Sequence, residues 1–343
     1  MSRPIAQAAL LASAFLAWPM MSGAAESLAP LTGGGSSFVD FAMGKWSAEY
    51  AAKTGSKVNY QASGSGAGIG NFSKGLLDFG ATDGPMTDKQ LADANGPVLH
   101  VPVVMGAVAV AYNVPELKGK LTLTGPVLAD IYLGKITKWN DKAIVGLNEG
   151  AKLPEADIVV VRRSDGSGTT FIFTDYLSKI TLEFEKTVGR GTSPKWPAGS
   201  IGAKGNQGVA AQVKQTANAI GYVELIYALT TNTPVASIKN KDGEVVTPSV
   251  ESTTAAAADL KDFPDDLRMS ITDAPGKTAY PISGIVWVLA RPKSDKPERD
   301  KAVKAFLEFV LSDPMQEAAV GLKYSKLPKT LLDKARAKVG AIQ

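Results

Sequence analysis

Apolar residues along the chain follow two spacings. Short β-branched or apolar runs recur, several of them lead into a glycine-rich turn, and apolar residues three or four positions apart follow. Leu31-Thr32-Gly33-Gly34-Gly35-Ser36-Ser37-Phe38 reads as a short strand, a glycine turn and a helix start. Phe38, Ala42, Trp46 and Tyr50 then share one helical face, and Thr54-Gly55 closes the run as a C-cap does. Val58-Asn59-Tyr60-Gln61 alternates as a strand. A second glycine turn, Ala62-Ser63-Gly64-Ser65-Gly66-Ala67-Gly68, precedes a helical pattern marked by Ile69, Phe72 and Leu76. Asp78-Phe79-Gly80-Ala81 predicts a strand ending in the turn Thr82-Asp83-Gly84-Pro85, with Thr87 capping a short helix through Ala94. Residues 98–104 and 107–112 predict two apolar strands.

Gly125-Pro126 opens a helix to Leu133 that Gly134 stops, and residues 135–140 form a polar connection. The run Ile158-Val159-Val160-Val161 predicts a strand that leads through Arg162-Arg163-Ser164-Asp165-Gly166-Ser167-Gly168-Thr169-Thr170 into a helix ending near Ile180. Loops at 196–199 and 204–206, a helix over 208–216 and a strand over 219–223 follow. A strongly apolar strand over 281–290 and helices near 296–311, 314–322 and 328–339 complete the chain. Strands alternating with helices predict an α/β layered protein. The strands at 107–112 and 282–290 bracket the middle region, as two crossover strands do when a chain leaves one domain and later returns.

Length agrees with that division, since 343 residues correspond to about two domains at roughly 150 residues each. With 45% hydrophobic and 20% charged residues the chain fits a soluble globular protein, not a disordered or fibrous one. The net charge of +4 is spread without a basic run, so no nucleic-acid partner is expected. Residues 1–25 read as a secretory signal: Arg3, an apolar stretch over 8–18, then Ser22-Gly23-Ala24-Ala25, suited to cleavage after Ala24 or Ala25. That apolar stretch is shorter than the ~20 residues a membrane-spanning helix needs, and no later stretch is long enough. The absence of cysteine excludes disulfides, thiol catalysis, an acylated cysteine and cysteine-bound metal. His100 is the sole histidine. It lies in a predicted strand and reads as a half-buried structural residue, so neither a metal site nor a catalytic triad is expected.

The candidate chemistry is anion binding. At the strand-to-helix junction near residue 168, unpaired backbone N–H groups carry partial positive charge, Gly166 and Gly168 permit close approach, and Ser167, Thr169 and Thr170 add hydroxyls. Arg163 supplies a planar charged fork suited to oxyanions. The loop at residues 64–69 fails the G-x-G-x-x-G pattern and lacks Gly-Lys-Ser/Thr, so a nucleotide is not indicated, although its N–H groups and the Ser65 hydroxyl can still hold a small anion. Ser37 reads equally as an anion ligand or a helix N-cap. Asp83 before Gly-Pro reads as an Asx-type turn.

Taken together these loops resemble the periplasmic phosphate-binding proteins of high-affinity phosphate ABC importers, over essentially the whole mature chain. The resemblance rests on Leu31-Thr32-Gly33 with Ser37-Phe38, Lys57-Val58-Asn59-Tyr60-Gln61, Asp78-Phe79-Gly80-Ala81 with Asp83, Ile131-Tyr132-Leu133-Gly134-Lys135-Ile136, Arg162-Arg163 with Asp165-Gly166-Ser167-Gly168-Thr169, and Gly221-Tyr222-Val223-Glu224. It implies a type II-like, two-lobed α/β fold, each lobe a sheet flanked by helices, with two crossover strands between them. One lobe would comprise residues 26–110 and 284–343, the other residues 111–283. It implies phosphate ligands Ser37, Phe38 and Ser65 in the first lobe and Arg163, Ser167, Gly168 and Thr169 in the second. Ser37 stands where the family commonly has threonine. Asp165 would pair with and orient Arg163, and Asp83 would be the carboxylate that discriminates between anions, which displaces the turn reading given above. The implied protein is a periplasmic, monomeric, non-enzymatic receptor without cofactor or metal, whose partners are inorganic phosphate and the permease subunits of an ABC transporter. The competing readings are a receptor for sulfate, molybdate or arsenate, and a secreted phosphatase using Ser167 or Ser65. Against the last, Asp165 occupies the first position of G-x-S-x-G and no base is evident.

Overall fold

A computed structural model of the chain describes residues 28–343. The expected signal segment lies outside them. The glycine-rich start forms β1 (Leu31–Gly35), and packing demands its glycines: a Cβ on Gly33 would lie 2.1 Å from the Phe79 ring. Helix α1 (Asp40–Thr54) buries Ala42, Met43, Trp46 and Tyr50 and ends at Gly55, whose left-handed φ of 74° lets its N–H reach the Ala51 carbonyl. Parallel strands β2 (Val58–Gln61) and β3 (Phe79–Thr82) flank β1, with α2 (Ser65–Ser73) between them in sequence. Leu76 falls beyond α2 and is exposed, so it does not belong to the helix face assigned from spacing. Helix α3 (Asp88–Ala92) carries a reciprocal capping box between Thr87 and Gln90 and stops short of residue 94.

The apolar runs at 98–104 and 107–112 form one strand, β4 (Leu99–Asn113). Gly106 carries the strand through because the Phe38 ring fills the place of its side chain; a Cβ there would lie 2.5 Å from that ring. Next come β5 (Thr122–Thr124), α4 (Gly125–Tyr132), capped by the Thr124 hydroxyl, and the short α5 (Lys142–Val145). Strand β6 (Val159–Arg163) leads into α6 (Gly168–Ile180), followed by α7 (Leu182–Thr187) and β7 (Ile201–Ala203). Helix α8 (Gly205–Gln215) starts three residues before the position expected from apolar spacing, because its first turn is polar and held by the contacts described below. Then come β8 (Ala219–Glu224), α9 (Leu225–Thr230), β9 (Ser237–Lys239), β10 (Val245–Val246) and α10 (Val250–Ala256). Strand β11 (Ser283–Ala290) and helices α11 (Pro297–Val310), α12 (Asp313–Gly321) and α13 (Lys329–Gly340) end the chain.

The main sheet runs β2-β1-β3-β11-β4-β8-β6-β7, and β10-β9-β5 form a smaller one. The expected two-lobed α/β fold is present, with the strands of both halves joined in one curled mixed sheet. The joint is β4, which pairs antiparallel with β11 over Leu99 to Ala107 and with β8 over Val108 to Asn113. Its apolar side chains are buried along almost the whole strand, which explains the long hydrophobic reading of this segment. Trp46, fully buried, ties the first half together by donating its indole N–H to the Met315 carbonyl at 3.0 Å. His100 is buried, more fully than expected, and its Nε2 accepts the Met86 N–H at 3.1 Å; burial pushes its pKa down to about 4, so it is a neutral acceptor. Among the described residues no helix is long and apolar enough to cross a membrane, and no cluster of acidic or histidine side chains is arranged to hold a metal.

Candidate functional site

The junction of β6 and α6 takes the form its sequence predicts. Ser167 is the N-cap of α6, its hydroxyl oxygen accepting the Thr170 N–H at 3.0 Å, so Gly168 and Thr169 present first-turn N–H groups that have no partner within the helix. Arg163 closes β6 and is buried. Its Nε and Nη2 donate to the two oxygens of Asp165 at 2.7 and 2.5 Å, a bidentate pair, while Nη1 reaches Thr169 Oγ1 at 3.4 Å. The Gly205 N–H adds a third bond to Asp165 at 3.0 Å. Burial works to raise the Asp165 carboxyl, but Arg163 and these bonds prevail and hold it below the ordinary aspartate value. Asp165 therefore spends its charge on fixing the guanidinium.

Ser36, Ser37, Ser65 and Asp83 face this junction from the β1–β3 half, and all are buried. Asp83 follows directly on β3. Its Oδ1 accepts hydrogen bonds from the Ser36 hydroxyl and, at 3.3 Å, from the Ser65 hydroxyl; its Oδ2 accepts from Thr169 Oγ1 at 3.3 Å. The Asx-turn alternative does not describe this side chain. The turn is held instead by Thr82, whose hydroxyl oxygen accepts the Gly84 N–H at 3.1 Å. Burial raises the Asp83 carboxyl to about 6, with Ser36, Arg163, Ser65 and Thr169 opposing it, so the group is mostly ionised at neutral pH and close to titrating.

The two halves meet directly here. The Gly66 N–H donates to the Gly166 carbonyl at 2.9 Å, and Asn206 donates to Ser37 Oγ from its backbone N–H at 3.1 Å and from Nδ2 at 3.0 Å. The cradle glycines serve this approach. A Cβ on Gly168 would lie 2.5 Å from the Asp83 carboxyl carbon, and one on Gly64 2.3 Å from Asp165. The Ser37 hydroxyl is engaged across the cleft, and the N-cap position of α1 falls on Val39, which settles the two readings of Ser37 against a cap.

Ser37, Ser65, Asp83, Arg163, Asp165, Ser167, Gly168 and Thr169 are thus brought to one place. Phe38 is adjacent, but its N–H is bonded to Ser36 Oγ at 3.0 Å and its ring fills the space over Gly106. Two members of the cluster escaped the sequence reading. Ser36 is one of two consecutive serines after the glycines, and spacing alone does not tell which faces the carboxylate. Asn206 lies in Lys204-Gly205-Asn206, read as a loop; the only signal was a Gly-Asn pair just before a helical pattern. The arrangement combines one buried cation, several neutral N–H and O–H donors and one buried carboxylate acceptor. That set suits a small oxyanion bearing a proton.

Comparison with known proteins agrees with this chemistry. A family described as a PBP superfamily domain matches residues 22–314. The phosphate-binding protein PstS of Pasteurella multocida is 44% identical over 309 residues, covering 90% of this chain and 89% of that protein. The phosphate-binding protein PstS of Xylella fastidiosa is 42% identical over 310 residues, covering 90% and 84% respectively. Among solved structures, a high-affinity periplasmic phosphate-binding protein bound with phosphate aligns with a TM-score of 0.74 at 21% identity, covering 90% of this chain and 93% of that one. At that identity the likeness concerns the fold.

Proposed function

The chain belongs to the PBP superfamily and, within it, to the PstS phosphate-binding proteins, and on that premise we propose that it binds inorganic phosphate between its two lobes and delivers it to an ABC importer. The observation that carries the reading is the pairing of one buried arginine, already neutralised by Asp165, with one buried acceptor, Asp83, among hydroxyl and N–H donors. Phosphate near neutral pH keeps at least one proton and sulfate keeps none. An ionised Asp83 accepts a hydrogen bond from the first and opposes the lone pairs of the second, so selectivity is a penalty on the wrong anion. Supplying most contacts from neutral dipoles avoids burying several cations, whose desolvation would oppose both folding and release.

In this reading Ser37, Phe38, Ser65 and Asp83 act from a lobe of residues 26–110 and 284–343, and Arg163, Ser167, Gly168 and Thr169 from a lobe of residues 111–283. The ligand bonds to both lobes, so it favours the closed arrangement by its greater affinity for it. The receptor works as a monomer in the periplasm, reached through the signal at residues 1–25, and its closed form docks on the transporter permease. A binding role without hydrolysis is supported by two engaged groups: Ser167 Oγ is held by its helix cap and His100 Nε2 by the Met86 N–H. Calorimetric titration of the mature chain with phosphate, arsenate and sulfate tests the reading. Tight phosphate binding with sulfate excluded is expected. Sulfate bound as tightly as phosphate would overturn the role given to Asp83, and phosphomonoester turnover abolished by Ser167→Ala would overturn the receptor reading.

A further inference from the structure

Asn206 opens the first turn of α8, is fully buried, and joins the two lobes at the anion site. Its Oδ1 accepts the backbone N–H of Glu224 at 2.9 Å. A main-chain N–H can only donate, so this bond fixes which end of the amide is oxygen. Nδ2, which can only donate, therefore faces Ser37 Oγ and Thr169 Oγ1, each at 3.0 Å. The Asn206 backbone N–H gives Ser37 Oγ a second donor at 3.1 Å, and Arg163 Nη1 gives Thr169 Oγ1 a second at 3.4 Å.

A hydroxyl has two lone pairs and one proton. At Ser37 and at Thr169 both lone pairs are occupied by groups that cannot accept in return, so each hydroxyl has only its proton to give, and Thr169 directs its proton at Asp83 Oδ2, 3.3 Å away. We propose that Asn206 is a positioning residue that fixes the polarity of these two hydroxyls, one from each lobe, so that both act only as donors within the anion site, Ser37 toward the anion and Thr169 toward the anion or the Asp83 carboxylate beside it. The inference rests on the phosphate-receptor reading and assigns a role within that site. Without the amide, each hydroxyl is free to rotate and turn a lone pair toward the ligand. For Thr169, whose two donors lie on its own lobe, fixing it beforehand removes that rotational cost from binding. Ser37 receives its donors from the opposite lobe, so its polarity is set only when the lobes are together, and closure itself completes the donor set.

The test is a double-mutant cycle read by calorimetry with inorganic phosphate. Asn206→Ala is measured in the wild-type chain and in a Ser37→Ala/Thr169→Val background that lacks both hydroxyls, with thermal melting to establish folding. The expected result is a loss of about tenfold or more in the first and less than about threefold in the second, because the amide acts through groups the background no longer has. Equal losses in both backgrounds would show that Asn206 merely holds the lobes together, and would overturn the proposal. Asn206→Asp keeps the shape and the bond to Glu224 and gives a second readout should the alanine variant unfold. Its new carboxylate draws the two hydroxyl protons inward, so phosphate affinity relative to wild type should fall as pH rises through its titration. That fall should shrink when the two hydroxyls are removed, since Asp83, Glu224, Arg163 and Asp165 are common to both backgrounds. A fall of undiminished size would be charge repulsion alone and would overturn the proposal. Failure of the wild-type chain to bind phosphate would refute the receptor reading and this inference with it, whereas normal wild-type binding with an additive cycle refutes only the inference.

Discussion

Replacing Asp83 by asparagine separates anion selectivity from anion affinity. The structure dictates how the amide would sit. Oδ1 receives the hydroxyl protons of Ser36 and Ser65, so that position must remain an oxygen and the new Nδ2 takes the place of Oδ2, beside Thr169. A sulfate oxygen then meets a donor where it had met a lone pair. Removing an unsatisfied contact between buried acceptors is worth about 1–3 kcal/mol, and a new hydrogen bond adds about 1 kcal/mol. Together these correspond to a gain of roughly 30- to 1000-fold for sulfate at about 1.4 kcal/mol per decade. Phosphate loses the bond from its proton to a charged acceptor, about 1.5–3 kcal/mol, and recovers part of that through a bond from the amide to one of its bare oxygens. The expected outcome of parallel titrations at pH 8 is phosphate affinity down about tenfold, sulfate binding newly measurable, and discrimination reduced by at least about a hundredfold. Sulfate still excluded from Asp83→Asn would refute the lone-pair argument and place selectivity elsewhere in the site.

Arg163→Ala leaves the largely buried Asp165 carboxylate without its bidentate partner, and breaking such a pair costs about 3–5 kcal/mol; both thermal stability and phosphate affinity should fall sharply, and unchanged affinity would remove Arg163 from the site. Asp83 titrates near 6 when folded against 3.8 unfolded, so the folded chain holds a proton that the unfolded chain has lost between those values. Its ionisation therefore costs stability as pH rises through that window, and the ligand-free protein should show a contribution favouring pH 5 over pH 7 that Asp83→Asn abolishes in melting curves. The same protonation turns Asp83 into a donor, so sulfate should bind measurably at pH 5 and not at pH 8; a flat sulfate response would contradict it. Gly168→Ala places a methyl 2.5 Å from the Asp83 carboxyl carbon and should reduce phosphate binding about a hundredfold or more by wedging the lobes apart, detectable as a larger radius in small-angle scattering.

Much of the fold was legible because its signals are local. The helix start after Arg163, the stop at Gly55 and the cap at Thr87 each rest on residues a few positions apart. The single strand β4 reads as two apolar runs in the sequence; what carries it through Gly106 is the ring of Phe38, distant in sequence. The site divides in the same way. Arg163, Ser167 and Thr169 lie in one contiguous motif whose chemistry is visible in the residues themselves, whereas the pairing of Asp165 with Arg163 is supplied by the resemblance. Asp83 reads as a turn by local chemistry and as a ligand only through family resemblance, since its partners Ser36, Ser65 and Thr169 come from three separate segments. Asn206 has only the faint local signal of a Gly-Asn pair before a helical pattern and no place in the resemblance, because its role exists only where α8 meets the ends of β1 and β6.

Strand order also bears on how this protein is made. β11, near the end of the chain, is hydrogen-bonded between β3 and β4, and β4 in turn carries β8. The first lobe therefore has a gap in the middle of its sheet until residues 283–290 have been synthesised, and one hydrogen-bonding edge of β3 and of the first half of β4 has no permanent partner before then. Contacts of such long sequence separation slow folding, because the loop-closure entropy must be met before any of them forms. For a chain proposed to leave the cytoplasm behind a signal segment, this strand order makes the first lobe's sheet one that closes only once residues 283–290 are available.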